Sequence, residues 1–311
     1  MRAATRNALI LVAGAASACR PDFGAPTSLV ADQRVLAIVA EPPEAAPGEA
    51  ISVRALVVGP EGTIDAPADW SFCLDPEPAA DNNVVAASCV TGPATTVGSG
   101  VTISAALPGD GCARFGPDTP PTIPGQPPLR PRDADVTGGY YQPLRATVGD
   151  PTAGALLAGV ALIRISCNLP NVGLAVIQEY QDRYRRNDNP TIQQILVAAT
   201  DGTTSALPTT LAPGASLVLV VAWPAGDAET FPVYDVRAQA LVDRRESLRA
   251  SWFATAGAFD VDRSGRTGDD PLAYATNTWT APDAPGPVHF WIVLRDDRGG
   301  SATRAFDIDV Q

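Results

Sequence analysis

Residues 286–311, "GPVHFWIVLRDDRGGSATRAFDIDVQ", constrain the fold most tightly. Val288, Phe290, Ile292 and Leu294 fall at alternate positions, as do Phe306, Ile308 and Val310, with a Gly-containing turn between the two runs. A period of two puts each set on one face of a strand, so the segment reads as a β-hairpin. With 30 Pro and 27 Gly in 311 residues, turns and short extended segments are favoured over long helices.

A similar order of signals occurs twice upstream. Ile51, Val53, Ala55 and Val57 follow the Pro47-Gly48 turn and alternate with Ser52 and Arg54, and Trp70 comes 22 positions after Gly48. Leu217, Leu219 and Val221 stand at the same offsets from Pro213-Gly214, preceded by Ile195 and Val197, and Trp252 comes 38 positions after Gly214. Two divergent copies of one β-rich unit are expected, the second carrying an extra loop or hairpin around "AGDAETFPVYD". Short alternating strands, closely spaced turns and a central Trp predict an all-β chain of two tandem β-sandwiches. The "NTWTAPDAPGPVHFWIVLRDDRGG" ending resembles bacterial immunoglobulin-like domains of cell-surface proteins, which implies fold and surface location but no reaction.

The N-terminus speaks to location. Arg2 and Arg6 precede "ALILVAGAASA", an apolar run too short to span a bilayer, which is the layout of a secretory signal. The "ASAC" at 16–19 then resembles the lipobox of bacterial lipoproteins, with Ala16 where that family usually has Leu. The resemblance implies lipidation of Cys19. Arg20 replaces the Asp that retains many Gram-negative lipoproteins at the inner membrane, so the implied destination is the outer membrane. The expected organisation is a signal peptide (1–18), a lipidated tether (19–33), an immunoglobulin-like domain 1 (34–170), a linker helix (171–190) and an immunoglobulin-like domain 2 (191–311). Domain 1 carries a Pro-rich insertion at 115–138. In the linker, Leu174, Ile177, Tyr180 or Gln181, and Tyr184 share one helical side, with Asn187 and Pro190 as stops.

Setting Cys19 aside leaves Cys73, Cys89, Cys112 and Cys167, an even number suited to an oxidising compartment. Of three connectivities, Cys73–Cys89 with Cys112–Cys167 is favoured, each bridge stapling a separate loop-rich part of domain 1. The alternative of metal binding lacks a CxxC pair.

Net charge is −12, with no Lys and no basic stripe, so phosphate backbones repel the chain and nucleic acid is not an expected partner. Catalytic signals are weak. His289 lies in an apolar strand, expected on the face opposite Phe290 and partly solvated. No G-x-S-x-G, P-loop or dinucleotide fingerprint occurs. The carboxylate pairs Asp75/Glu77, Asp269/Asp270 and Asp296/Asp297 read as solvated loops, and "RDDRGG" as a hairpin turn kept soluble by its charges. Trp70 and Trp252 read as core. Trp223, Trp279 and Trp291 are less constrained, and a ligand surface made of Trp223, Trp279 or the tyrosines Tyr140 and Tyr141 is the alternative. One segment has ligand-like spacing. Asp260, Asp262 and Ser264 precede Gly265 at alternate positions, and Asp269 or Asp270 could close a calcium loop, although Pro271 stands where an EF-hand has Glu.

The expected role is a non-catalytic, lipid-anchored envelope protein acting as a structural or binding module. Its expected partners are the membrane, through the lipid, and a cell-envelope protein or glycan. Ca²⁺ is the one cofactor considered. The alternatives are a calcium-dependent adhesion module and a carbohydrate-active hydrolase.

Overall fold

The computed structural model describes residues 25–73, 89, 92, 94–114, 116–118, 123–125, 137–149 and 156–311. Cys19, Asp75, Glu77 and most of the Pro-rich insertion lie outside the described residues.

Domain 1 opens with β1 (Arg34–Glu41), β2 (Glu44–Ala45) and β3 (Ala50–Gly59). They are followed by β4 (Gly62–Ile64), β5 (Ala68–Cys73), β6 (Ala94–Gly100) and β7 (Thr102–Ala106). A single turn, α1 (Gly111–Arg114), precedes β8 (Gly139–Val148) and β9 (Leu157–Ser166). β3 pairs with β1, β4 and β7 in one sheet, and the second sheet runs β2-β9-β8-β5-β6. Alternation sorts the side chains: Ile51, Val53 and Val57 of β3 meet Trp70, Leu144, Ala146 and Ile163 between the sheets.

Domain 2 repeats this plan. Its strands are β10 (Gln194–Ala198), β11 (Thr204–Ala206), β12 (Thr210–Leu211), β13 (Ser216–Ala222), β14 (Thr230–Asp235) and β15 (Ala240–Arg245). Then come β16 (Leu248–Ala254), β17 (Ala258–Phe259), β18 (Arg263–Arg266), β19 (Tyr274–Thr280), β20 (Gly286–Arg295) and β21 (Ser301–Val310). The sheets are β11-β10-β13-β19-β17 and β12-β21-β20-β16-β18. In both domains the first strand pairs with the strand after the Pro-Gly turn. A two-residue segment then crosses to pair parallel with the last strand, β2 with β9 and β12 with β21. That split first strand and the two sheet orders define an immunoglobulin-type sandwich. The Pro-Gly glycines, Gly48 and Gly214, have φ of 81° and 69°, a left-handed turn conformation that a side chain would strain.

The tryptophan of each copy occupies the same strand, β5 or β16. Both are fully buried. Each indole N–H donates to the neighbouring strand, Trp70 to the Gly100 carbonyl at 3.0 Å and Trp252 to Ser264 Oγ at 2.9 Å. The Gly-to-Trp distances differ by 38 − 22 = 16 residues. The hairpin β14–β15, residues 230–245, accounts for that difference.

Two expectations about the connections are corrected. The linker helix, α2, spans only Leu174–Arg183; Leu174 is 80% exposed and Tyr180 is the buried contact. From Tyr184 the chain runs extended, because Tyr184, Asn187 and Pro190 are drawn into the joint described below. Residues 28–30 are not a free tether either. Ala254 exchanges backbone hydrogen bonds with Ser28 and Val30 at 2.9 and 2.8 Å, and Val30 is fully buried.

Candidate functional site at the domain joint

The joint is built from strands that are apolar on both faces. In β20, Val288, Phe290, Ile292 and Leu294 point into the core of domain 2. The intervening Trp291 and Val293, with Phe253 of β16, pack against Leu36, Ala37, Leu56, Val58 and Val30. Outer faces of the two sandwiches thus share a small core. Trp291 Nε1 donates to Thr63 Oγ1 at 2.8 Å, and Arg295 Nη2 to the Leu36 carbonyl at 3.0 Å, so the polar edges of this contact are paired. Asn189 of the connecting segment ties both sides. Its Nδ2 donates to the Ala40 carbonyl at 2.7 Å, and its Oδ1 accepts from Ser301 N at 2.8 Å.

Beside this apolar patch lies a buried ionic cluster. Glu44 of β2 accepts from Ser166 Oγ at 2.9 Å, Tyr184 OH at 2.8 Å and Asn187 N at 2.9 Å, and pairs with Arg164 at 3.2 Å. Both side chains of that pair are fully buried. From domain 2, Arg298 donates Nε to Glu246 at 2.7 Å, Nη2 to Glu229, and Nη1 to the Arg185 carbonyl at 2.9 Å. Its guanidinium lies 3.8 Å from Glu44 and is stacked 4.5 Å from the Phe231 ring. Phe231 belongs to the extra hairpin, whose Asp243 also pairs with Arg183 of α2 at 2.5 Å. The insertion that distinguishes domain 2 therefore caps the joint.

The turn after β20 supplies the remaining groups. Asp296 accepts from Arg298 N at 2.9 Å, Gly300 N at 2.8 Å and Asn187 Nδ2 at 3.1 Å. Only glycine fits at 300, since a Cβ there would sit 2.0 Å from Asp296 Oδ2. "RDDRGG" is thus corrected from a solvated turn to a buried one, with Arg298 2% exposed. The charges of Asp296, Asp297 and Arg298 are satisfied by Glu229, Glu246 and backbone N–H groups of domain 2 and by Asn187 and the Arg185 carbonyl of the linker, with Glu44 of domain 1 at 3.8 Å.

Four carboxyls, Glu44, Glu229, Glu246 and Asp296, face two arginines here. Burial, reinforced by the charge of Asp296, pushes Glu246 up to about 8. Burial likewise raises Asp296 and Glu229, and lifts the Tyr184 hydroxyl to about 12. Arg298 is held above its ordinary range because attraction to Glu246 and Tyr184 outweighs its burial. Perturbed carboxyls can mark catalysis or an ion-pair network. None of these four lines the nearby cavity of about 270 Å³ between β1 and β9, whose domain 2 wall is Arg295, Gly299 and Ser301. Glu44, Arg164 and Glu246 are sealed from solvent, and Glu229 is the partly exposed carboxyl of the cluster, an arrangement that can fix the orientation of the elements it joins.

The four cysteines form Cys73–Cys89 and Cys112–Cys167, with S–S distances of 2.05 and 1.94 Å. The calcium quartet is not brought together. Asp262 accepts from Thr27 Oγ1 at 2.6 Å, which holds its carboxyl below the usual range. Ser264 is committed to Trp252, and Asp269 accepts from Thr267 at 2.5 Å. Asp260 precedes the strand β18, whose extended backbone separates these groups. Among the described residues no three His, Cys, Asp or Glu side chains converge as a metal site. Asp270 pairs with Arg266 at 3.0 Å, and Asp297 accepts from Ser247 N at 2.8 Å.

His289 stands 25% exposed on the joint side of β20, its Nδ1 2.7 Å from Asp307. The ligand platform is corrected as well: Trp223, Trp279 and Tyr140 are buried, and so is Trp291. Tyr141 lies beneath the Arg164 guanidinium at 5.2 Å. The sequence signal for the joint was the unbroken run "FWIVL" at 290–294, since consecutive apolar residues mark a strand covered on both faces.

A tandem immunoglobulin-type chain with a buried, ion-paired joint is the class these features define. No family model matches the chain, and no curated protein matches it. Among solved structures it is similar to the D0-D1 domain of intimin, at 12% identity over 89% of this chain and 98% of that one, with a TM-score of 0.23. It is also similar to invasin, a bacterial integrin-binding protein, at 10% identity over 88% of this chain and 38% of that one, with a TM-score of 0.22. A β-glucuronidase of Parabacteroides merdae follows at 7% identity over 87% and 24%, with a TM-score of 0.21. At such scores these likenesses carry no functional weight, and the sandwich assignment rests on strand order. Among the described residues no helix is long and apolar enough to cross a membrane.

Proposed function

We propose that this chain is an exported, lipid-anchored envelope protein whose two sandwiches act as one rigid, non-catalytic structural or binding module. The secretory layout of residues 1–18 and the "ASAC" at 16–19 support the anchor, and the outer membrane is the destination this reading gives. Two disulfides in domain 1 fit an oxidising compartment. The observation that carries the module reading is Arg298, which joins carboxylates of both domains at 2% exposure. A buried ion-pair joint resists relative motion of the two domains, as a rigid module requires.

Metabolic labelling with palmitate tests the anchor. The wild-type chain should take up label and sediment with membranes, and Cys19→Ser should release an unlabelled soluble protein. An unlabelled, soluble wild type would contradict the anchor.

A further inference from the structure

The chain carries a net charge of −12, yet four of its arginines gather at one corner of the joint. Along β16 the core takes Leu248, Ala250 and Trp252, so alternation turns Arg249 and Ser251 to the outer face. Arg249 stands directly opposite Arg295 of β20, and Ser251 opposite Arg263 of β18, which puts these arginines on one face of three adjacent strands. Like charges set opposite one another on neighbouring strands destabilise a sheet. Burial, and then the charge of Arg263, hold Arg295 below its ordinary range. Arg34 of β1 reaches the same corner, where its Nη1 donates to the Thr27 carbonyl at 3.1 Å and Thr27 in turn donates to Asp262, next to Arg263. Among the described residues none of the four arginines forms an ion pair. The flanking carboxylates, Asp262 and Asp297, accept from Thr27 Oγ1 at 2.6 Å and Ser247 N at 2.8 Å.

Thr27, which is fastened at this corner, lies eight positions after Cys19. A chain of that length spans at most about 28 Å when extended. A lipid on Cys19 therefore keeps the arginines within reach of the headgroup layer. We propose that Arg34, Arg249, Arg263 and Arg295 form a docking face for anionic phospholipid headgroups, which turns this side of the joint toward the bilayer. The proposal takes its geometry from the lipid-anchor reading and its chemistry from the arginines. Guanidinium groups bind phosphate through two parallel hydrogen bonds, and a headgroup phosphate supplies the counter-charge that the protein lacks here. An anionic leaflet repels the rest of so acidic a chain, so this corner decides which face is presented.

The mature chain carrying Cys19→Ser has no lipid and so separates the docking face from the anchor. It should sediment with vesicles containing phosphatidylglycerol but not with neutral phosphatidylcholine vesicles, and added salt should release it. Each arginine at an anionic surface strengthens binding about fivefold, so Arg249→Gln with Arg263→Gln should weaken it about 25-fold. Both side chains are exposed, and their replacement leaves the cores intact. Arg237→Gln with Arg244→Gln makes the same change in net charge on the exposed hairpin β14–β15 and should alter binding by less than about twofold. Vesicle binding that survives a failed palmitate label upholds the docking face and strikes the anchor alone. No binding to the anionic vesicles, equal binding to both kinds, equal loss in the two double variants, or binding to dextran sulfate without binding to vesicles, which marks a glycan site, would each overturn the proposal.

Discussion

The two sandwiches share a strand order but are held together differently. Domain 1 is stapled by two disulfides and, among the described residues, has Trp70, Phe72 and Tyr140 as its buried aromatics. Domain 2, with no cysteine, packs Phe290 against Phe306 and Trp279 at centroid distances of 4.7 Å, and Trp252 against Phe259 at 6.0 Å. One topology thus tolerates covalent closure of the unfolded chain or aromatic packing of the folded one as its stabiliser. Domain 2 also carries the hairpin and the buried turn that make the joint, so the domains differ in role as well as in support.

Reduction should separate them most. Bridges spanning 16 and 55 residues in sequence contribute about 3 and about 4 kcal/mol by loop closure. Hydrogen exchange after reduction should show domain 1 amides such as Leu144 losing protection while Ile292 in domain 2 keeps it. Equal loss in both would break the contrast.

Arg298→Leu leaves Glu229 without its cation and Glu246 and the Arg185 carbonyl without their donor, and should cost about 3 kcal/mol. The loss should appear in urea denaturation as domain 2 and the joint failing before the core of domain 1. A variant as stable as wild type would show that the cluster is not coupled to folding.

The joint should also make stability fall with pH. Glu246 keeps its proton in the folded protein up to about 8, whereas the unfolded chain releases it near 4.5. Between those values the native state binds more protons, so the contribution is full below about 4.5, declines as pH rises and levels off beyond about 8. One proton corresponds to a slope of about 1.4 kcal/mol per pH unit. Glu246→Gln, which copies the neutral form, should flatten the profile; an unchanged slope would place the effect elsewhere. The smallest expected change is Thr63→Val, which removes the acceptor of Trp291 Nε1 and should cost about 1 kcal/mol in thermal denaturation.

Much of the fold was legible before any coordinates. The offsets from Pro47-Gly48 and Pro213-Gly214 identified β3 and β13 as equivalents, and a 16-residue surplus announced the hairpin. The joint was legible only in part: the unbroken run "FWIVL" at 290–294 marks a strand covered on both faces, but nothing in it says what covers the second. Asp296 and Arg298 look like surface charges in a glycine turn. Their burial depends on Glu44 and Asn187, more than a hundred positions away, and no local pattern encodes that meeting. Ser264 looked like a calcium ligand for a similar reason: its partner, Trp252, lies on a neighbouring strand.

Double electron–electron resonance between spin labels at the exposed Asp69 and Thr204, one in each domain, tests the rigid joint most directly. A single narrow distance distribution is predicted for the wild-type chain, broadening in Arg298→Leu while each domain stays folded. A broad or multiple distribution in the wild type, unchanged by that substitution, would contradict the account.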